Sequence, residues 1–189
     1  MSSKVGKLAA AYKQHLGVPW QEGIAGIQRV IFAVYDKTDE LRLRANVDEF
    51  QLTTQQAQKK WLLIDLTNAF PEWMAKQEYK DAYFESPEDL DGYQTGELTQ
   101  FVNHLIEQLK SQIHEDSDNN TVVALLGVGS LFGLARVSTV VEGIKDVIKG
   151  RLLVFFPGEH HPENHTYRLL DARDGWNYLA IPLTATETN

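Results

Sequence analysis

The sequence predicts an α/β fold: a three-layer, Rossmann-like or P-loop-like sheet, mostly parallel, with helices on both faces and a C-terminal hairpin at the sheet edge. Near-continuous apolar runs alternate with segments of helical spacing, which is typical of parallel strands covered on both faces. One of these runs, residues 121–126, leads directly into glycines at positions 127, 129 and 133. Such an arrangement has the outline of a nucleotide-binding loop.

The predicted elements alternate along a single domain, residues 1–189. In order they are a helix over 4–16 with a connector to 26, a strand over 29–35, a helix from about 38 to 58, a strand over 61–66, an irregular aromatic and acidic insertion over 67–96, a helix over 98–113, a strand over 121–126, a helix over 130–149, a strand over 151–156, and two short strands over 166–170 and 178–182.

Spacing and caps support the elements of the N-terminal half. Apolar residues recur every three or four positions over 4–16, and glycines and a proline follow. The strand over 29–35 is apolar on both faces and ends at Asp36. Thr38 or Asp39 is then expected to cap the next helix.

The C-terminal half repeats the pattern and then changes character. A single apolar stripe predicts the helix over 98–113, and acidic, Asn-rich residues after it predict a surface turn. Pro157 and Gly158 are expected to stop the strand over 151–156. The last two short strands flank an Asp-Gly turn signal and leave no room for a crossover helix, so they predict a hairpin.

Composition excludes several classes of function. The formal net charge of −8 opposes nonspecific duplex binding, and the absence of cysteine rules out disulfides and thiolate chemistry. A protein partner is therefore expected rather than nucleic acid; the alternative is direct DNA binding through a local basic patch at Arg42, Arg44, Lys59 and Lys60. No apolar stretch approaches the ~20 residues that span a bilayer. With no signal peptide at its start, the chain is expected to be cytoplasmic, without membrane contact.

The glycine loop lacks the residues that bind nucleotides. In a P-loop a lysine follows the last glycine, but a leucine follows Gly133 here. The dinucleotide fingerprint places its third glycine where this chain has Phe132. We expect a structural turn and no cofactor. The alternative is an enzyme that binds a nucleotide or phosphoester through Gly127, Gly129, Ser130 and Gly133.

Two further groups of residues could carry chemistry. Asp36, after an apolar strand, resembles the nucleophile of haloacid-dehalogenase-like phosphatases, but Thr38 replaces the second aspartate of that loop. His160, His161 and His165 could ligate zinc or nickel, although all three belong to one predicted loop. We expect a strand end and a solvated loop, with neither a catalytic residue nor a metal.

The insertion over 67–96 mixes aromatic rings with acidic residues. This mixture is typical of a protein interface, because Tyr and Trp bury a large area with few rotatable bonds. The alternative is that about half of the rings cover the sheet. The expected partner-binding residues are Trp73, Tyr79, Tyr83 and Phe84, followed by Trp176 and Tyr178 of the C-terminal hairpin.

Six stretches of the chain resemble the BrxB family of BREX phage-defence systems. They are residues 19–20, 29–37, 83–90, 127–133, 153–159 and 167–180. The similarity extends over nearly the whole chain, and the last two stretches are long enough to be specific. BREX operons also encode a DNA methyltransferase, the ATPase BrxC and PglZ, an alkaline-phosphatase-like protein.

The resemblance implies a required, non-catalytic accessory protein that binds PglZ and helps to assemble the defence complex. BrxC and the methyltransferase are further expected partners. The family carries no established catalytic residue onto this sequence, which agrees with the missing P-loop lysine, and the histidine-rich loop is not diagnostic of it. We therefore expect a scaffold that acts through protein–protein binding.

Overall fold

The computed structural model describes residues 3–21, 23–91, 96–175 and 180–185. Its helices are α1 (Lys4–Leu16), α2 (Glu40–Arg44), α3 (Val47–Gln56), α4 (Ala69–Met74), α5 (Lys80–Glu85), α6 (Glu97–Asp116) and α7 (Val137–Ile144). Its strands are β1 (Val30–Tyr35), β2 (Lys60–Asp65), β3 (Thr121–Leu126), β4 (Arg151–His161), β5 (Thr166–Leu169), β6 (Ala172–Gly175) and β7 (Ile181–Leu183). Within these ranges, no helix combines the length and the apolarity needed to cross a membrane.

The strands form one seven-stranded sheet that is mostly parallel. Five strands follow the order β2-β3-β4-β1-β7 and pair in parallel, while β5 and β6 extend the end of β4 in antiparallel fashion. Every residue of β1 and β3 is buried, as their unbroken apolar sequences predict. Central strands buried on both faces, in a mostly parallel sheet with helices, confirm the predicted α/β class.

The first face of the sheet is covered by α1, α2 and α3. Leu8 and Tyr12 of α1 pack with Phe50 of α3 against Phe155 of β4. The rings of Phe50 and Phe155 meet edge to face with centroids 5.0 Å apart. The buried hydroxyls of Tyr12 and Thr54 lie 2.7 Å apart, which joins α1 to α3 and satisfies two polar groups in the core.

The second face is covered by α4, α6 and α7. Phe101 and Leu105 of α6 and Val141 of α7 contribute to a core cluster that includes Val123 and Phe156 of the sheet. The β1-to-β2 crossover uses the first face, and the β2-to-β3 and β3-to-β4 crossovers return over the second. Right-handed crossovers that run in opposite directions along a sheet must use opposite faces, so three layers result.

β4 does not stop at Pro157 and Gly158, so that prediction is wrong. The strand pairs in parallel with β1 as far as Pro157 and then in antiparallel fashion with β5 from Gly158 to His161. The carbonyl of Pro157 accepts a hydrogen bond from the Leu170 N–H at 2.9 Å. Proline is tolerated because it lies where the strand changes partner and its missing N–H breaks no continuous ladder.

Two predicted helices are shorter than expected. The helix predicted over 130–149 begins only at Val137, because the glycine loop first closes as a 3₁₀ turn over Val128–Leu131. The helix predicted from 38 to 58 is split into α2 and α3. At the split, the side-chain amide of Asn46 donates to the Arg42 carbonyl at 2.7 Å and so competes with a continued helix.

The C-terminal hairpin differs from the prediction. β5 pairs with β4 and β6, whereas β7 adds to β1 in parallel at the sheet edge. The predicted pairing of 166–170 with 178–182 is therefore wrong, and residues 176–179, with Trp176 and Tyr178, lie outside the described residues. The insertion over 67–96, predicted to be irregular, forms α4, α5 and a 3₁₀ turn at Pro87–Asp91.

Candidate functional site

The carboxyl ends of β1, β2, β3 and β4 meet at one edge of the sheet, here called the carboxyl edge. Ligands of open α/β sheets bind in the crevice outside these ends. A cavity of about 350 Å³ opens there. It is lined by Lys37, Glu40, Arg44, Thr67, Gly127, Gly129, Ser130, Pro157 and Leu170. Three of the four predicted loop residues therefore line this cavity.

Arg44 is the centre of a hydrogen-bonded network at the carboxyl edge. Its Nε donates to Glu40 at 2.7 Å, and its terminal nitrogens donate to Asp65 at 3.0 Å and to the Thr67 hydroxyl at 2.7 Å. The Tyr35 hydroxyl donates to the other carboxylate oxygen of Glu40. Two carboxylates thus match the guanidinium charge, which is held within the protein rather than offered to an anion.

The hydrogen bonds of this network favour the ionised form of the Asp65 carboxyl group. Burial disfavours the charged carboxylate, but the hydroxyl and backbone N–H of Thr67, together with Arg44, outweigh burial and hold the pKa of Asp65 below its ordinary value of 3.8. A carboxyl group with a lowered pKa in the folded state stabilises the fold above its unfolded-state pKa. That contribution is lost as pH falls through the folded-state pKa.

We expect the stability of the protein to decline as pH falls below about 4, partly through protonation of Asp65. The Asp65→Asn variant should be less stable than wild type near pH 6 and should lose less of its remaining stability near pH 3. Urea unfolding at the two pH values measures both effects, with Asp48→Asn, an exposed aspartate of α3, as control. Parallel pH profiles for wild type and Asp65→Asn would contradict the assigned bonding.

Gly127 closes the glycine loop against this network. Its φ of +76° lies in the left-handed region that favours glycine. An added Cβ would lie 2.5 Å from the Thr67 hydroxyl and 2.6 Å from the Asp65 carboxylate, closer than atoms pack. Glycine is therefore required here by both backbone conformation and space.

The loop uses its own polar groups internally. The N–H of Ser130 donates to the Gly127 carbonyl at 3.0 Å, and the N–H of Phe132 donates to the Gly129 carbonyl at 3.2 Å. The Ser130 hydroxyl lies 2.9 Å from the Leu66 carbonyl, which ties the loop to the end of β2. A phosphate-binding loop instead turns such N–H groups towards its ligand.

Asp36 has a structural role at the end of β1. Its carboxylate accepts hydrogen bonds from the Thr38 hydroxyl at 2.6 Å and the Thr38 N–H at 2.9 Å, which lower its pKa. Asp36 thus caps the 3₁₀ turn over Lys37–Asp39. Thr38, at the position of the phosphatase's second aspartate, is the donor. Asp39, one of the two residues predicted to cap the next helix, occupies the N-cap position of α2, but its side chain makes no capping hydrogen bond.

The sequence suggested that the three histidines lie in one loop, and the structure shows that they do not. His160 and His161 are consecutive residues of β4, and their side chains point to opposite faces because successive strand residues alternate. The His160 ring packs on Tyr167 with centroids 4.7 Å apart. Across the described ranges, no group of three or more His, Asp or Glu side chains could hold a metal ion.

Trp73 lies in the core, so the prediction that it is an exposed anchor is wrong. Its side chain is 6% exposed and packs on Phe101 with ring centroids 5.5 Å apart. Phe70, beside it, packs edge to face with the Phe101 ring, with centroids 5.1 Å apart. The insertion thus supplies part of the core cluster on the second face of the sheet, because α4 places these rings against α6.

Tyr79 and Phe84 remain exposed, at 67% and 72%. Tyr83, between them in sequence, is half-buried against the core cluster on the second face of the sheet. Loss of hydration, followed by a hydrogen bond with Glu97, raises the pKa of Tyr83. Of the predicted anchors in the described residues, Tyr79 and Phe84 are the two that present most of their rings to solvent.

The four basic residues considered as a DNA-binding patch do not lie together. Arg42 binds Asp39 at 2.7 Å, and Arg44 lies in the network at the carboxyl edge. Lys59 and Lys60 lie at the other end of β2, about 17 Å away along a six-residue strand. The structure therefore separates them into two pairs on opposite edges of the sheet.

A second cavity was not predicted from the sequence. It opens at the amino ends of the parallel strands, here called the amino edge, and measures about 470 Å³. Its lining residues are Trp20, Gln21, Gly23, Arg29, Lys59, Asn119, Asn120, Lys149 and Arg151. The available signal was a cation at or immediately before three of the apolar runs.

These features define a doubly wound, mostly parallel α/β protein whose glycine loop closes as a 3₁₀ turn. The family model described as BREX protein BrxB matches residues 62–182. The chain therefore belongs to the BrxB family and is involved in BREX phage defence. No curated protein and no solved structure matches it.

Proposed function

We propose that this chain is a non-catalytic scaffold of the BREX defence complex that acts through protein–protein binding, with PglZ as its principal partner. BrxC and the methyltransferase join the same assembly, and DNA is met through the complex. Family membership supports a role in BREX defence. The two exposed rings of the insertion are the observation that carries the binding role.

The proposed docking surface consists of Tyr79 and Phe84 with the acidic residues Glu78, Asp81 and Glu85, and we call it the aromatic-acidic surface. Both rings are more than half exposed, and the three carboxylates are exposed as well. Large rings within a polar rim are the usual composition of a protein-binding hot spot. The surface therefore suits a partner that offers an apolar pocket bordered by Lys or Arg.

The chemistry of the carboxyl edge supports a non-catalytic role. The Arg44 guanidinium is matched by Glu40 and Asp65, and the Ser130 hydroxyl lies within hydrogen-bond distance of backbone carbonyls. A nucleophilic serine needs an adjacent base instead. The polar side chains at this edge thus hold the turn in place.

Co-expression of the tagged chain with PglZ, BrxC and the methyltransferase tests the proposal. We expect PglZ to co-purify and to co-elute from a sizing column in a two-protein mixture. An operon that carries Asp36→Ala or Ser130→Ala should still restrict phage, because each change removes local hydrogen bonds of a turn and no catalytic group.

Two results would overturn the proposed function. The first is a chain that enters no complex with any BREX component at micromolar concentrations. The second is hydrolysis of p-nitrophenyl phosphate by the purified chain that disappears in Asp36→Asn, since that would assign the carboxylate a catalytic role.

A further inference from the structure

We propose that the cavity at the amino edge, here called the basic pocket, binds a small phosphate-bearing ligand of the polyphosphate or nucleotide class. Arg29, Lys59, Lys149 and Arg151 line it together with Trp20. The pocket is distinct from the glycine loop, which lies at the opposite edge of the sheet. It is also independent of the proposed scaffold role, so either proposal can fail alone.

The fold concentrates these cations by bringing together the amino ends of the parallel strands. Lys59 precedes β2, Arg151 begins β4, and Arg29 precedes β1. In the sheet, β3 separates β2 from β4, and β1 lies beside β4. At about 4.8 Å per strand the row is about 14 Å long, comparable to an extended polyphosphate chain.

The charge of the pocket is opposite to that of the whole chain. Its lining includes four cations and, among the described residues, no carboxylate, although the net charge of the protein is −8. Glu22, which adjoins the pocket in sequence, lies outside the described residues. A concave site of one sign concentrates counter-ions of the other sign, here anions.

The cations of the pocket are not neutralised by ion pairs within the described structure. Arg29 donates to the carbonyls of Ile148 and Lys149, and Lys59 donates to the Asn120 side chain at 2.7 Å. Arg151 donates to the carbonyl of its neighbour Gly150. Neutral acceptors orient these groups and leave their charges uncompensated, unlike the charge of Arg44 at the carboxyl edge.

Arg151 bears a cost that an anion would relieve. Its residue is 9% exposed, and burial followed by repulsion from Arg29 lowers its pKa. Trp20 has Lys59 at 4.2 Å and Arg151 at 4.7 Å from its ring centroid, so the indole holds the two cations together. Its own indole N–H is buried and, within the described structure, makes no hydrogen bond.

Size and donor chemistry favour a phosphate ester over a simple anion. The volume of about 470 Å³ lies in the range of small-molecule sites and exceeds what a single inorganic anion fills. Two guanidinium groups can each bind phosphate oxygens with two parallel bonds, and ammonium groups add point charges. The side chains of Gln21, Asn119 and Asn120 supply amide donors at the rim.

Isothermal titration of the full chain with inorganic phosphate, pyrophosphate, ADP and ATP tests the proposal. We expect pyrophosphate and the nucleotides to bind, and Lys149→Glu to weaken binding at least tenfold. Lys76→Glu is the matched control because Lys76 is also an exposed lysine and the change in net charge is the same. This control should bind as wild type does. A stronger response to nucleotides than to pyrophosphate would identify the nucleotide as the ligand.

Arg151→Met provides a second, independent variant. We expect it to weaken binding at least tenfold while its thermal midpoint stays at or above that of wild type, because a buried charge beside Arg29 is removed. If Arg151→Met fails to fold, the binding test rests on Lys149→Glu, because Lys149 is exposed.

Three results would overturn the proposal. The first is no heat of binding with any of these anions at millimolar concentration. The second is binding that Lys37→Ala abolishes and Lys149→Glu preserves, because Lys37 lines the cavity at the carboxyl edge. The third is single-stranded DNA that binds the pocket more tightly than any mononucleotide, which would make the pocket a nucleic-acid site.

Discussion

Replacing Gly127 with alanine is expected to lower the free energy of unfolding by about 3 kcal/mol or more. A left-handed conformation costs a non-glycine residue about 1–2 kcal/mol. The remainder comes from the Cβ, which would lie 2.5 Å from the Thr67 hydroxyl and 2.6 Å from the Asp65 carboxylate. The Thr67 hydroxyl accepts from Arg44, and the contacted oxygen of Asp65 accepts from Thr67. Displacing them therefore also weakens the network at the carboxyl edge, at about 1–2 kcal/mol for the disturbed bonds.

Gly133→Ala is the matched control for this prediction. Gly133 has φ +77°, almost the same as Gly127, but an added Cβ there meets open space. Gly133→Ala should therefore lose only the conformational part, about 1–2 kcal/mol. Thermal unfolding of the two variants should give midpoints that differ by several degrees. Equal losses would mean that the contacts between Gly127 and the network carry no energy.

The sheet could be predicted from the sequence because its strands are apolar on both faces. The runs at 29–35, 121–126 and 151–156 have no competing interpretation as surface segments, and β1, β3 and β4 lie within a residue or two of them at their amino ends. Spacing likewise identified α1 and α6, which are long enough for an apolar stripe to recur several times. Long, periodic segments can therefore be assigned as helix or strand from the local sequence alone.

The errors fall where a tertiary contact decides the local structure. β4 continues through Pro157 because β5 supplies a new partner there, and nothing local to the proline shows it. Trp73 is buried because α6 passes beside α4, a helix of six residues, too short for its apolar face to be recognised. The helix after the glycine loop begins late because the loop first bonds to itself.

The basic pocket could not be located from the sequence, and the cavity at the carboxyl edge could be located only through its glycine loop, for a common reason. The basic pocket collects residues from positions 20 to 151, which come together only once the strand order is known. The glycine loop was recognisable as a loop, but the contacts that make Gly127 necessary come from Asp65 and Thr67, some sixty positions earlier. Sequence motifs identify candidate residue types, whereas the fold determines which of them meet.

The combined change Tyr79→Ala and Phe84→Ala is expected to weaken binding to PglZ more than tenfold, about 1.4 kcal/mol or more. The rings are 67% and 72% exposed, so their removal creates no cavity in the core and the circular dichroism spectrum should stay native. A titration with purified PglZ measures the affinity. Phage plating on cells with the variant operon measures the loss of defence.

Leu41→Ala is the control for removal of exposed apolar surface, because Leu41 is 81% exposed on α2, which covers the opposite face of the sheet from α4. We expect it to bind PglZ as wild type does. Tyr83→Phe removes only the hydroxyl that bonds Glu97. Because the ring packs on the core, this change should lower the stability of the protein and leave its affinity for PglZ unchanged. If the double variant binds PglZ normally, the aromatic-acidic surface is not the interface. If Leu41→Ala weakens binding to the same extent, the loss of affinity is not specific to the aromatic-acidic surface, and the two rings are not the anchors of the interface.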